Sequence, residues 1–280
     1  MSRSLIFSEQ FTDFAPAVAE ALREYREDRA TLLASLTVSL QSDPRICAVW
    51  FHGSFGRGEA DDVSDLDLWL AVSDEATAEM NTILGGHAAL NVSFIGGKET
   101  PQIAPPGGSF FASRHEGRQG TLGVDWSWQP LSRLTLPADT KLLFERSEQD
   151  PILSIPSLPT VRLDKDISEE PVVGGLWFAW LMVGVAAKHL ARNPHSDMAL
   201  MLYPRFALED TIIAIGQQDE LLPIDWSVPE QPLDKLEHLR GLARIVAQTA
   251  DAAVAQGYLF SPRYLSSLYS YLDMVEGILK

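Results

Sequence analysis

The spacing of hydrophobic and polar positions changes part-way along this chain, and the change divides it. From Pro16 to Leu40, the residues Val18, Leu22, Tyr25, Leu32, Leu33, Leu36 and Leu40 recur at helical intervals. That stripe predicts an amphipathic N-terminal helix over 14–41, with Arg23, Arg26 and Arg29 lying mostly off it. Asp13 and Pro16 mark its start, and Asp43-Pro44 ends it. Residues 46–52 (ICAVWFH) form an apolar run of strand length, closed by the Gly-rich turn GSFGRG. The run DLDLWLAV over 65–72 alternates with period two and predicts a second strand. Ser73-Asp74 caps a short helix through Ile83, which Gly85-Gly86 ends. Further strands are expected at 89–95, 109–113, 121–128 and 141–145, between turns such as Pro105-Pro106-Gly107-Gly108.

Near residue 147 the pattern becomes helical. Pro151, Pro156, Pro159 and Pro171 punctuate a polar stretch read as a linker over 151–170. Helical spacing then holds over 172–193, 197–217, 232–256 and 262–279, the last with the stripe Leu265, Leu268, Tyr269, Leu272, Val275 and Leu279. The expected fold class is α+β: a mixed sheet with flanking helices in a domain at 1–150, then a C-terminal helical bundle at 171–280. The most apolar stretch, Val172 to Ala187, falls short of the ~20 residues that span a bilayer and carries Gly174, Gly175 and Gly184. It reads as a buried helix.

Composition adds constraints. Hydrophobic residues make up 46% of the chain, enough for a sizeable core. Thirty-eight acidic residues against 22 basic ones give a net charge of −16. So acidic a surface repels phosphate backbones, which argues against a nucleic-acid partner, and attracts cations. Cys47 is the only cysteine, so neither an internal disulfide nor a multi-cysteine metal site is possible. The first ten residues lack a signal-peptide pattern, and a soluble, cytoplasmic protein with no membrane partner is expected.

The chemistry concentrates between Val49 and Ala71. On a strand, residues two apart share a face, so Asp65 and Asp67 point one way while Leu66, Leu68 and Leu70 enter the core. Neighbouring carboxylates repel unless a cation lies between them, and hard oxygen donors suit Mg²⁺. Gly53-Ser54 directly follows a buried strand; the glycine permits a positive φ, and the serine adds a donor toward an anion. Arg57 extends that anion-facing loop. An anion cradle beside metal-binding carboxylates is what phosphoryl or nucleotidyl transfer needs. A Walker loop is excluded, because no lysine occurs between residues 1 and 97. The stretch from Gly56 to Asp61 also lacks the third glycine of a dinucleotide fingerprint. In 121–128 the even positions Leu122, Val124, Trp126 and Trp128 are core-like and the odd ones small or polar, which makes Asp125 the candidate third carboxylate.

Gly-Ser, ten residues, then Asp-x-Asp, with a later strand aspartate, resembles the signature of the DNA polymerase β-like nucleotidyltransferase superfamily. The order of a catalytic sheet and then a helical bundle is similar to aminoglycoside nucleotidyltransferases. The motif match covers 49–71 closely and 121–128 more loosely. The resemblance implies that Gly53 and Ser54 hold a nucleoside triphosphate, with ATP the expected donor, and that Asp65, Asp67 and Asp125 bind two Mg²⁺ ions. It implies a cationic partner for the triphosphate in the first long bundle helix, where Lys188 and Arg192 stand one turn apart. Some aminoglycoside enzymes carry a glutamate base one turn before that lysine; here the position is Gly184, so no base is assigned. Glu209 and Asp210 are the acids available toward an acceptor.

The expected activity is metal-dependent transfer of a nucleoside monophosphate to a hydroxyl of a small molecule, for which a cationic, aminoglycoside-like acceptor suits the acidic chain. The alternatives are adenylylation of a partner protein and a degenerate nucleotide sensor. For His52 a packed strand-end role is expected, for His189 and His195 the surface. Trp126, Trp128, Trp177 and Trp180 are expected in the core.

Overall fold

The computed structural model describes residues 14–82, 91–99, 101–146, 171–195, 204–260 and 263–280. The expected linker, Asp13, and the glycines at 85 and 86 lie outside the described residues. The fold is α+β, a mixed sheet with flanking helices together with a C-terminal helical region. The chain divides into two compact units. One contains Leu22–His115 and the run from Leu122; the other contains Pro16–Ala21, Glu116–Thr121 and the C-terminal helices.

In the sheet unit, helix α1 (Pro16–Ser42) buries Leu22, Tyr25, Leu32, Leu33, Leu36 and Leu40, the stripe read from the sequence. Strands β1 (Ile46–Phe51) and β2 (Leu66–Val72) follow, joined through the short helix α2 (Gly53–Arg57). After α3 (Thr77–Thr82) come β3 (Phe94–Glu99), β4 (Ser109–Gly117), β5 (Gly120–Pro130) and β6 (Lys141–Glu145). The sheet order is β3-β4-β5-β2-β1-β6. β1 pairs antiparallel with both β2 and β6, while β2 pairs parallel with β5. That parallel pair is what makes the sheet mixed, because β2 and β5 are joined by a long crossover rather than a hairpin. β6 has the bounds read from the sequence; β4 and β5 are longer, and β3 starts at Phe94 rather than 89.

Burial alternates along β2 as expected. Leu66, Leu68 and Leu70 are fully buried, whereas Asp65, Asp67 and Trp69 are half-exposed. Trp126 and Trp128 on β5 are buried beneath the sheet, so they belong to the core and not to a stacking platform. Arg29 departs from the sequence reading. Placed four residues after Tyr25 and three before Leu32, it falls on the buried stripe of α1 rather than off it, and it is 2% exposed.

The helical unit is built on α4 (Pro171–Arg192), α7 (Pro232–Ala255) and α8 (Arg263–Leu279), with shorter α5 (Arg205–Ala214) and α6 (Gln218–Leu221) between them. By length and composition α4 is able to cross a membrane, being longer than the apolar run within it, yet 61% of its most apolar window is buried in the structure. A Cβ at Gly175 would overlap the Thr211 hydroxyl, so that glycine lets α5 approach α4 closely. Trp177 and Trp180 pack edge to face at 5.1 Å, and Trp180 Nε1 donates to the Tyr264 carbonyl at 2.7 Å. Both are core residues, as expected. The helix expected at 197–217 is described only as Arg205–Ala214.

A polar chain runs through the sheet core. Trp126 Nε1 donates to Ser113 Oγ at 2.8 Å, and that hydroxyl donates to the Val124 carbonyl at 3.1 Å. His115 stands between two hydroxyls, with Ser113 Oγ 3.1 Å from its Nε2 and Ser93 Oγ 3.3 Å from its Nδ1. Burial, reinforced by Arg114, lowers the His115 pKa to about 3 from an ordinary value of 6.5. The folded chain therefore binds no proton here in the window where the unfolded chain does. Its contribution to stability is complete above about pH 6.5 and is lost as pH falls toward about 3. We expect urea denaturation to show wild type losing about 2 kcal/mol more than His115→Gln between about pH 7 and pH 5. Parallel profiles for the two proteins would show that His115 does not carry this dependence.

Candidate active site

The site begins where β1 runs into Gly53. The His52 amide donates to the Asp67 carbonyl at 3.0 Å, which carries the β1–β2 ladder one residue beyond the strand. Gly53 then takes φ 58°, a left-handed conformation that L side chains rarely adopt. Space excludes a side chain as well, since a Cβ there would overlap Asp67 Oδ2 and stand 2.8 Å from its Cγ. The expected Gly-rich turn is a single helical turn, α2, closed by Gly58 at φ 74°. Within it Ser54 is half-buried, and Phe55 is buried against Phe51 at 5.5 Å. Arg57 is exposed and donates from Nε to Glu59 Oε2 at 2.7 Å. That hydrogen bond, with the nearby Asp139 and Asp67, raises its pKa.

Three carboxylates share one face of the sheet. Asp67 is the direct register partner of Asp125 across the parallel β2–β5 pair, and Trp69 that of Ser127. Asp65 stands one residue before β2 begins, and a Cβ on Gly123 would lie 2.6 Å from its Oδ1. The two motif aspartates thus have different neighbours. Asp67 lies between Gly53 and Asp125, whereas Asp65 lies against Gly123.

Sequence reasoning missed one group on this face. Arg114 on β4 is 7% exposed, and its Nη1 lies 3.4 Å from Asp125 Oδ1 and donates to the Ser113 carbonyl at 2.7 Å. Burial opposes its charge, but Asp125 and Asp65 outweigh burial and raise its pKa. A guanidinium is thereby held beside the carboxylates as countercharge. The sequence held one signal for it, since Arg114 lies in a strand whose other residues are mostly buried. Nearby, the His52 ring meets Trp69 edge-on at 5.4 Å. Its Nε2 is buried with no hydrogen-bond partner in the structure, and burial lowers its pKa. The imidazole is neutral and packed, in line with the strand-end role expected of it.

The other candidates belong to the helical unit. Lys188 is half-buried and Arg192 exposed, one turn apart on α4. Glu209 accepts from Arg205 Nε at 3.2 Å and from Trp226 Nε1 at 2.8 Å, while Asp210 is exposed. His189 and His195 are exposed, as expected.

The residues of the sheet face suit a hard divalent cation. Asp67 and Asp125 offer only carboxylate oxygens from facing register positions, and Gly53 and Gly123 let the Asp67 and Asp65 carboxylates lie close against the backbone. Among the described residues, no three His, Cys, Asp or Glu side chains are grouped as a ready metal cluster. The pair Asp67 and Asp125 is thus the better-defined donor set, with Asp65 drawn toward Gly123.

No protein-family model matches the chain, and no curated protein sequence matches it. Among solved structures it is similar to the crystal structure of an aminoglycoside 6-adenyltransferase from Bacillus subtilis. The identity is 15%, the match covers 87% of this chain and 97% of that one, and the TM-score is 0.28.

Two stability measurements check the geometry. Gly53→Ala combines a left-handed alanine with overlap on Asp67 and should cost about 2 kcal/mol or more. In an Asp67→Ala background the overlap is gone, so the same change should cost about 1 kcal/mol less. Additive costs would show that Gly53 and Asp67 do not touch. Arg114→Met leaves Asp65 and Asp125 without their buried countercharge and should destabilise by roughly 3 kcal/mol. Adding Asp125→Asn should recover part of that loss; a further loss would show that Arg114 acts by packing alone.

Proposed function

We propose that this chain is a nucleotidyltransferase, moving a nucleoside monophosphate from a nucleoside triphosphate, ATP by preference, to a hydroxyl of a small molecule. The observation that carries the reading is the close approach of the Gly53 backbone to the Asp67 carboxylate, with Asp125 facing it in register. An anion-facing turn and a cation-binding carboxylate pair then lie side by side at the middle of the sheet, which is what phosphate transfer requires. The Gly-Ser and Asp-x-Asp spacing in the sequence supports the same reading.

In this proposal the Gly53 backbone and the Ser54 hydroxyl orient the triphosphate. Asp67 and Asp125, with Asp65 beside them, hold Mg²⁺; two ions is the proposed number. The ions would supply positive charge to the α-phosphate and to the departing pyrophosphate. The acceptor oxygen bonds to the α-phosphorus, the bond from that phosphorus to the bridging oxygen breaks, and pyrophosphate leaves. The acceptor's hydroxyl proton passes to solvent. Arg114 holds Asp125 in place and lends positive charge beside Asp125 and Asp65. A cationic acceptor fits a chain of net charge −16, with binding that weakens as salt rises.

The test is transfer of label from α-³²P-ATP with Mg²⁺ to a panel of aminoglycosides, lincosamides and purified proteins. Wild type should label a small molecule, and Asp67→Asn and Asp125→Asn should reduce labelling to background without unfolding. Calorimetry should show Ser54→Ala weakening Mg·ATP by ~1.5–3 kcal/mol, one hydrogen bond to a charged group. Label appearing only on proteins would redirect the acceptor assignment. No label and no ATP binding would remove the reading altogether.

A further inference from the structure

The two halves of the proposed site are separated in sequence by the loop from Gly58 to Ser64, and one buried side chain from α1 holds that loop. Arg29 Nη1 donates to the carbonyls of Asp61, Asp62 and Ser64 at 3.0, 3.2 and 2.7 Å. Its guanidinium carbon lies 5.1 Å from the centre of the Phe55 ring, on the helical turn that begins with Gly53 and Ser54. Arg29 is 2% exposed, and the loop it holds is tightly closed on itself. Ser64 Oγ donates to Asp61 Oδ1 at 2.7 Å, and the Asp61 amide donates back to Ser64 Oγ at 2.9 Å. The charges facing Arg29 are Asp61, Asp62 and Asp65, and Arg26 Nε lies 3.4 Å from Asp62 Oδ1.

A group bonded to three carbonyls at the end of the loop and stacked on a ring at its start fixes the span between them. That span matters because Gly53 and Asp67 meet without room for a methyl group. A drift of a few tenths of an ångström there would move the triphosphate turn relative to the carboxylates. We propose that Arg29 is a positioning residue for transfer: it aligns the Gly53–Ser54 turn with Asp65 and Asp67 while touching neither nucleotide nor acceptor. This inference rests on the nucleotidyl-transfer reading above. The guanidinium shape is essential to it, because lysine keeps the charge but cannot lay a planar group over the Phe55 ring while bonding the loop carbonyls.

Misalignment of intact halves should depress turnover more than binding. The experiment compares wild type, Arg29→Lys and Arg29→Ala in the full chain, following pyrophosphate release from Mg·ATP with the acceptor found by labelling, or with water. Mg·ATP affinity is measured by calorimetry, and melting temperature is recorded alongside. We expect kcat to fall by about 10- to 100-fold in Arg29→Lys, with Mg·ATP affinity within about threefold of wild type. Guanidinium ion, far below denaturing concentration, should restore part of the Arg29→Ala rate, and ammonium should not. A wild type that neither binds nor turns over ATP overturns the transfer reading and this inference together. An active wild type overturns the inference alone if Arg29→Lys keeps its kcat, if affinity falls in step with kcat, or if both variants unfold. In that last case Arg29 is simply part of the core.

Discussion

Parallel pairing of β2 with β5 is the constraint on which the site depends. Its register, with Leu66 opposite Val124 and Asp67 opposite Asp125, decides which side chains meet on the open face. Side chains alternate along each strand, so a slip by one residue would turn the aspartates inward and bring Leu66, Leu68 and Leu70 out to water. The fully buried leucines on β2 and Trp126 and Trp128 on β5 therefore do two things at once. They supply the hydrophobic burial that fixes the register, and through the register they place the carboxylates. Core packing and site geometry are here the same fact seen from opposite faces of one sheet.

An acidic chain that gathers carboxylates on one face must also manage their repulsion. Two buried guanidiniums do so from different directions. Arg114, from β4, lies beside Asp125 and Asp65, while Arg29, from α1, closes the loop leading into Asp65. Burying a charge is costly unless it is paired or hydrogen-bonded; Arg114 has Asp125 and the Ser113 carbonyl, and Arg29 has three loop carbonyls. Positive charge thus stands next to the carboxylates, held there by bonds to the backbone of the strand and of the loop.

Much of this was legible in the sequence because period and punctuation report on burial. The leucines of DLDLWLAV gave β2 and its core face, and the small odd positions of 121–128 brought Asp125 to the same face. β6 and the long helices α1, α7 and α8 were readable for the same reason. The roles of Arg29 and Arg114 were not, although both stand at positions whose neighbours are buried, because their acceptors, backbone carbonyls above all, leave no trace in residue identities. The Gly-rich run 53–58 read as a turn because glycines suit turns. Only the structure shows a helical turn, with Gly53 positioned for Asp67. Asp65 and Asp67 looked equivalent from spacing alone, and pairing with β5 separates them.

That separation bears on how the face can work. Asp67 is confined on two sides, by the Gly53 backbone and by Asp125, and its own carbonyl is bonded to the His52 amide. Its carboxylate has little freedom, and whatever it holds must lie where the turn and β5 allow. Asp65 stands before the ladder begins, close against the Gly123 backbone and within the field of Arg114. Two carboxylates two residues apart on the same face are thus held by different neighbours. The alternation of a single strand supplies the common face, and the neighbouring strand makes its two aspartates different.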